Sequence, residues 1–398
     1  MKVKIENCKA SAIFLDNKFY DTKKEIDISF SEAVRIARDF DVVFVDNYRQ
    51  NYNPENWKKD KYFGFTAPLD MTSGWGNVSY NLLKNSKDNH TIAYVGKPVE
   101  VHDAWLGKLK KERVREDGVM IWHEQPRSQW LNSPFQKNIA ILPFETTLIP
   151  GSWVSKINSF DLLITPCEQN IKMFRDSGVK IPIELVRWGV TDGKFKKAER
   201  NNTTFTFGTH GALSIRKGTD LLVEAFKRAF TKGENVKLIC KTSNSHYHFM
   251  AKDPRIEEIV GPVTHEELMD QYFSKIDVGV YPATGEGFGL GALECLSTGA
   301  PAIVTGWGGQ MEYYDPKCCL KLKYDMVPAE DFTKSVYKEQ CGDWAKPQID
   351  DLVEKLRWCY EHQEEVKKMG EYGYEYVQKE WLWSKKIKEF HKVLNQYL

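Results

Sequence analysis

No apolar run in this chain of 398 residues approaches the roughly 18 residues that a membrane-crossing helix needs. The opening MKVKIENCKA lacks the apolar centre and small-residue cleavage site of a secretory signal. No C-x-x-C pair occurs. The eight cysteines, Cys8, Cys167, Cys240, Cys295, Cys318, Cys319, Cys341 and Cys359, fit neither a zinc site nor a disulfide framework. Free thiols in a reducing, cytoplasmic setting are expected. Neither sign of charge is in excess. Lys and Arg number 56 against 55 Asp and Glu, for a net charge of +1, which gives no support to a nucleic-acid partner. The expectation is a soluble protein of two or three domains, with peripheral contact at a membrane surface left open.

What the chain does have is a dense stretch from Tyr281 to Asp315. The apolar run Ile276 to Tyr281 reads as a buried parallel strand. Pro282 and Gly285 break it, and a loop carrying Glu286 follows. Gly287 and Gly289 allow close backbone approach, Leu290 to Leu296 has helical spacing, and Ala302 to Thr305 reads as the next strand. Such a loop lies at the C-terminal end of a strand, where open α/β sheets bind ligands. Glu286 on the loop and Glu294 about two turns into the helix are offset by roughly 10 Å along its axis. Between them the helix start offers free N–H groups. A ligand with a diphosphate in the middle and hydroxyls at both ends suits this layout, as does a plain strand–helix turn with two exposed glutamates.

The order Glu286, Gly287, Phe288, Gly289, Leu290, Glu294, Gly299, Pro301, Gly308, Gly309, Glu312 resembles the donor-site signature of retaining GT-B glycosyltransferases, specifically glycosyltransferase family 4 (glycosyl transferases group 1). The resemblance covers about residues 62 to 390 and is strongest from 281 to 315. It implies an α/β fold of two Rossmann-like domains facing a central cleft, with C-terminal helices crossing back to the first domain. It places Glu286 against the transferred sugar, Glu294 against the ribose hydroxyls, and the backbone of Phe288, Gly289 and Leu290 against the diphosphate. Relatives carry G-R-L-x-x-x-K-G where this chain has Gly211-Ala212-Leu213-Ser214-Ile215-Arg216-Lys217-Gly218. Lys217 fits the lysine, Ala212 departs from the arginine, and Arg216 is the candidate replacement.

Further donor-binding candidates are Gly74 and Gly76, in a Gly-rich turn before a helix from Val78, and Val263, closing a strand read over Ile259 to Val263. His123, just past the run Val119 to Trp122, is a candidate catalytic residue or else a structural histidine. Trp122, Arg127 and Trp130 fit either an acceptor pocket or the core. Glu145 fits an acceptor-side role, a helix cap or the surface. His246 and His248 lack a third ligand, so no metal site is expected. The D-x-D at Asp39-Phe40-Asp41 reads as the close of a helix over Ser31 to Phe40. The expected boundaries are 1–60 for an accessory or divergent segment, 61–190 for the acceptor-side domain, 191–378 for the donor domain and 379–398 for the returning helix.

The resemblance implies transfer of a sugar from a nucleotide-sugar, a UDP- or GDP-sugar, to a glycan, lipid or protein acceptor, with retention, no cofactor and no metal. A nucleotide-sugar epimerase on the same fold and a non-catalytic nucleotide-sugar or glycan binder are the rival readings. Donor turnover without acceptor marks the first, and donor binding without transfer marks the second.

Overall fold

The structure, a computed structural model, describes residues 2–6, 12–15, 18–21, 23–28, 41–44, 61–69, 73–95, 104–109, 114–115, 117–242 and 253–398. The helix expected before residue 41, the polar stretch after Asn47, Met71, Thr72, His246 and His248 lie outside these residues. Near the start, β1 (Lys2–Glu6) pairs antiparallel with β4 (Ile26–Asp27) and β5 (Asp41–Phe44), while β2 (Ala12–Leu15) and β3 (Lys18–Asp21) form a hairpin. Asp41 therefore opens a strand.

Two parallel six-stranded sheets follow. The first holds β6 (Tyr62–Thr66), β7 (Thr91–Val95), β8 (Val119–Trp122), β9 (Lys137–Ile141), β10 (Leu162–Thr165) and β11 (Ile183–Leu185), in the order β11-β10-β9-β8-β6-β7. The second holds β12 (Phe205–Gly211), β13 (Val236–Thr242), β14 (Ile256–Val260), β15 (Val278–Tyr281), β16 (Ala302–Thr305) and β17 (Cys319–Leu322), in the order β14-β13-β12-β15-β16-β17. All pairs in both sheets are parallel. Sheets of this kind are covered on both faces, so their strands read as unbroken apolar runs. The strands β6, β8, β10, β15 and β16 are buried along their whole length.

In each sheet the strand order reverses direction once, between β6 and β8 in the first and between β12 and β15 in the second. Open α/β sheets bind ligands in the crevice at such a switch point, beyond the C-terminal ends of the strands. The expected strand over Ile259 to Val263 is displaced: β14 runs from Ile256 to Val260. Pro262 has no N–H to give a ladder. Thr264 is drawn into a capping box with Glu267, so Val263 lies on the loop between.

The chain returns to the first sheet at its end. Val190 pairs with Leu382 as an isolated bridge. The helix Trp383–Leu394 packs on the helix Gly74–Ser86, where Ser86 Oγ and His391 Nε2 are 2.8 Å apart. A second bridge was not legible beforehand. Between β17 and the helix Ile349–Glu361, the chain inserts a hairpin of β18 (Tyr324–Pro328) and β19 (Asp343–Pro347) around the helix Glu330–Tyr337. Tyr337 packs against Phe144 and Trp153, with ring centroids 5.3 and 5.4 Å away. The Thr147 N–H donates to Asp343 O, and the Asp343 N–H donates to Thr147 Oγ1, both at 2.8 Å.

Glu312 ties the second sheet's side to the first. Its Oε1 accepts the Glu168 N–H at 2.7 Å, capping the helix Glu168–Asp176, and its Oε2 accepts Arg187 Nε at 2.8 Å. Hydrogen bonds to a charged group contribute about 1.5–3 kcal/mol each. Glu312→Ala is therefore expected to lower unfolding free energy by about 2–4 kcal/mol, read from urea denaturation. Glu312→Gln, which retains an acceptor, is expected to lose less than half as much.

Candidate active site

At the second sheet's switch point, the loop from Pro282 to Gly289 leaves β15 beside the turn Ser214–Gly218 that leaves β12. The two are stitched together. The Thr284 N–H and Oγ1 both donate to Arg216 O at 2.9 Å, and Arg216 Nη1 donates to Gly285 O at 2.7 Å. From the far side Thr305 Oγ1 donates to Ala283 O at 2.6 Å, and the Gly309 N–H donates to Glu286 O at 2.8 Å. The Ala345 N–H of β19 donates to Thr284 O at 2.9 Å, so the inserted hairpin also braces the loop. Gly289 adopts φ +90°, a left-handed conformation that side chains resist, and starts the helix Leu290–Leu296. Gly287 meets the first domain: a methyl group there would lie 2.7 Å from Pro143 Cβ. Leu290 faces Gly74 across the same gap, where a methyl on Gly74 would come within 3.9 Å of Leu290 Cδ1.

Four charges meet at this boundary. Lys217 Nζ contacts Glu286 Oε2 directly, and Arg216 Nη1 lies 3.9 Å from Glu286 Oε2 and 3.7 Å from Glu145 Oε1. Burial alone would raise the Glu286 carboxyl, but Lys217 and Arg216 overcome it and hold the group below its ordinary range. Glu145 goes the other way: burial and the charge of Glu286 outweigh Arg216 and raise it. The alternatives of a cap or a surface carboxylate for Glu145 are thus replaced by a half-buried place in the cluster. Desolvation works against the Arg216 charge, and the two carboxylates more than offset it.

Glu294 has a partner that sequence reasoning missed. His210, near the end of β12, places Nε2 3.0 Å from Glu294 Oε2 and Nδ1 2.8 Å from the Tyr281 hydroxyl. The only sequence signal was a histidine beside Gly211, the last residue of that strand. Phe288, whose backbone was expected near a diphosphate, buries its ring between Trp188 and Tyr313, with centroids 5.5 and 5.6 Å away.

The first sheet contributes His123, fully buried just beyond β8. Its ring stacks on Trp75 at 4.7 Å, and Trp188 meets its edge at 6.0 Å. The single hydroxyl proton of Ser79 goes to Trp75 O at 2.9 Å, so His123 Nδ1, 2.8 Å from Ser79 Oγ, carries the donor proton. Nε2 is then a bare acceptor, buried and unpaired among the described residues. Gly74 and Gly76 are not a free loop. Ser73 Oγ accepts the Gly76 N–H at 3.0 Å and starts the helix at Gly74, four residues before the expected Val78. Trp122 and Trp130 belong to the core. Trp122 bonds Asn138 Oδ1 at 3.0 Å, and Trp130 stacks on Phe160 at 4.3 Å.

Residues 204–335 match the family model described as glycosyl transferases group 1. The capsular polysaccharide biosynthesis glycosyltransferase CapM of Staphylococcus aureus is 29% identical over 122 residues, 28% of this chain and 30% of CapM. The match thus spans less than a third of that relative. Among solved structures, HepE of Anabaena, in complex with UDP and glucose, gives a TM-score of 0.64 at 12% identity over 85% of this chain and 100% of that one. Sucrose-phosphate synthase of Thermosynechococcus elongatus gives 0.62 at 14% identity over 85% and 99%.

The fold is GT-B.

Within this GT-B frame, Glu286, Arg216, Lys217, Phe288, Gly289, Leu290 and Glu294 gather at the second sheet's switch point. Gly74, Gly76 and His123 stand at the first sheet's switch point, and Val263 lies on the loop after β14. Among the described residues no cluster of His, Cys, Asp and Glu is arranged to hold a metal ion, and no helix is long and apolar enough to cross a membrane. The seven described cysteines are free and buried.

Burial depresses the His123 imidazole to about 3 and His391 to about 4. A histidine with a lowered folded-state value contributes stability above its unfolded value of about 6.5, which is lost as pH falls toward the folded value. Melting temperature is expected to drop steadily between pH 6.5 and 4, and His123→Phe should make that drop shallower. An equal slope in the variant would show that His123 is not buried in its neutral form.

Proposed function

We propose that this protein is a retaining glycosyltransferase that moves a sugar from a nucleotide-sugar, a UDP- or GDP-sugar, to an acceptor hydroxyl. The observation that carries the reading is the cluster of Lys217, Arg216 and Glu286 at the switch point, facing Glu145 of the opposite domain. Support comes from the matched family segment, which contains the whole second-domain part of the cluster, and from the UDP bound by HepE.

The roles follow from the chemistry. Cleavage of the bond between the anomeric carbon and the diphosphate oxygen leaves negative charge on the nucleotide. Fixed cations that need not reorganise stabilise that charge, and Lys217 and Arg216 supply them. Glu286, held ionised beside Lys217, accepts hydrogen bonds from hydroxyls of the transferred sugar and orients it. His123 Nε2, a lone acceptor, suits a further sugar hydroxyl. Glu294 takes the ribose hydroxyls, with the backbone of Phe288, Gly289 and Leu290 near the diphosphate. In the retaining step the acceptor oxygen bonds to the anomeric carbon on the face the diphosphate leaves. The departing phosphate oxygen takes the acceptor's proton. Since fixed charge supplies the stabilisation, the step needs no divalent ion and no cofactor. The domain limits proposed for this activity are 61–190 for the acceptor side, 191–378 for the donor side and 379–398 for the returning helix, with 1–60 as an accessory segment. The glycan, lipid or protein acceptor binds from the first domain, where contact with a membrane surface would bring a lipid acceptor within reach.

Glu286→Gln is expected to lower kcat by about a hundredfold, with unchanged melting behaviour within a few degrees. Lys217→Ala is expected to cost about 2.7–4 kcal/mol of barrier, on the order of a hundredfold or more in rate. Proton NMR of the fresh glycoside should show the donor's anomeric configuration, and an inverted product would rule out the retaining step. Near-normal kcat in Glu286→Gln would remove the loop from the reaction.

A further inference from the structure

Glu294 is a flexible side chain asked to meet a ligand, and something must hold it. Its Oε2 lies 3.0 Å from His210 Nε2, while its Oε1 accepts no hydrogen bond from the described residues. An ionised carboxylate only accepts, so His210 Nε2 carries the proton of that bond. In the neutral ring, Nδ1 then accepts from the Tyr281 hydroxyl, 2.8 Å away. In that ring the chain runs from Tyr281 O–H to His210 Nδ1 and from His210 Nε2–H to Glu294 Oε2. The ring itself is clasped edge-on by Tyr272, Phe273 and Tyr281, with centroids 5.1, 5.0 and 5.6 Å away. The His210 side chain is 9% exposed and that of Glu294 16%. Such a chain spends one carboxylate oxygen on the protein and leaves the other for a ligand, in one orientation. It starts at the C-terminal ends of β12 and β15, the two strands that flank the switch point.

We propose that His210 is a positioning residue that holds Glu294 ready for the ribose hydroxyls of the donor, with Tyr281 fixing the ring. The proposal rests on the donor-site reading above. Pre-organisation of this kind lowers the ordering cost of binding. It therefore couples His210 to the ribose hydroxyls, although His210 does not itself touch the ligand.

A cycle of protein and ligand changes tests that coupling. Calorimetric titration compares UDP, GDP and ADP with their 2′,3′-dideoxy forms, on the full chain and on His210→Phe, His210→Gln and Tyr281→Phe. For the nucleotide that binds, loss of the two hydroxyls is expected to weaken the wild type by about tenfold or more. In His210→Phe the ribose form should bind about tenfold more weakly, and removal of the hydroxyls should then cost less than about threefold. His210→Gln, which returns an N–H donor, should restore most of the hydroxyl dependence. Tyr281→Phe, which removes only a hydroxyl and keeps the packed ring, should reduce that dependence part-way. Full hydroxyl dependence in His210→Phe, or in Tyr281→Phe should the first variant not fold, would overturn the positioning role and leave the donor site standing. Binding of none of the three nucleotides to the wild type would overturn the donor site, and the positioning role with it.

Discussion

Compensation of half-buried charge at the meeting of the two sheets governs the rest of this molecule. Glu286 and Glu145 come from different domains, and Arg216 faces both, while Lys217 contacts Glu286. Removing one member of such a set leaves its partner's charge without compensation. The arrangement therefore constrains loop, turn and domain boundary together. The guanidinium of Arg216 also bonds Gly285 O, and its own carbonyl receives two bonds from Thr284. The residue that carries charge is thus the residue that shapes the loop carrying Glu286. Arg216 stands four positions from Ala212, where the resembled motif has arginine, and in this chain it lies 3.7 Å from Glu145 and 3.9 Å from Glu286.

The domain contacts protect this geometry. Glu312, Thr147 with Asp343, and Tyr337 against Phe144 and Trp153 all join the two halves close to the cluster. Tyr337 is near enough to Glu145 for the carboxylate to help burial raise its phenol. The inserted hairpin thus joins the two domains at one place, and the returning helix Trp383–Leu394 joins them at another. A cleft held at two places keeps its facing side chains in register, which is what the proposed catalysis requires.

Much of this was legible in the residues. Parallel strands buried on both faces write themselves as apolar runs, and Val119–Trp122, Leu162–Thr165 and Ala302–Thr305 fall where those runs lie. The helix Leu290–Leu296 was equally plain, because its spacing follows directly on the glycines. The insertion was not legible. Its strand β18 is largely exposed, so no apolar run marks it. The helix start at Gly74 was hidden because Ser73 supplies the cap while glycines fill the first turn. His210 escaped because its meaning depends on Glu294, 84 residues away in sequence, and on a ring of aromatics assembled only by folding. Glu145 was named beforehand for an acceptor-side role, a cap or the surface, but its place in the charge cluster was not legible, because it is a loop carboxylate until Arg216 arrives from the other domain.

The central claim is that fixed protein charge at the second switch point holds a nucleotide-sugar diphosphate. A ligand that binds only the folded state raises apparent stability, so thermal melting with UDP-, GDP- and ADP-sugars in excess EDTA tests it most directly. The account predicts a rise in melting temperature with at least one of these donors in EDTA, abolished in Lys217→Ala. No rise with any of them, or a rise that appears only when magnesium or manganese is added back, would contradict it.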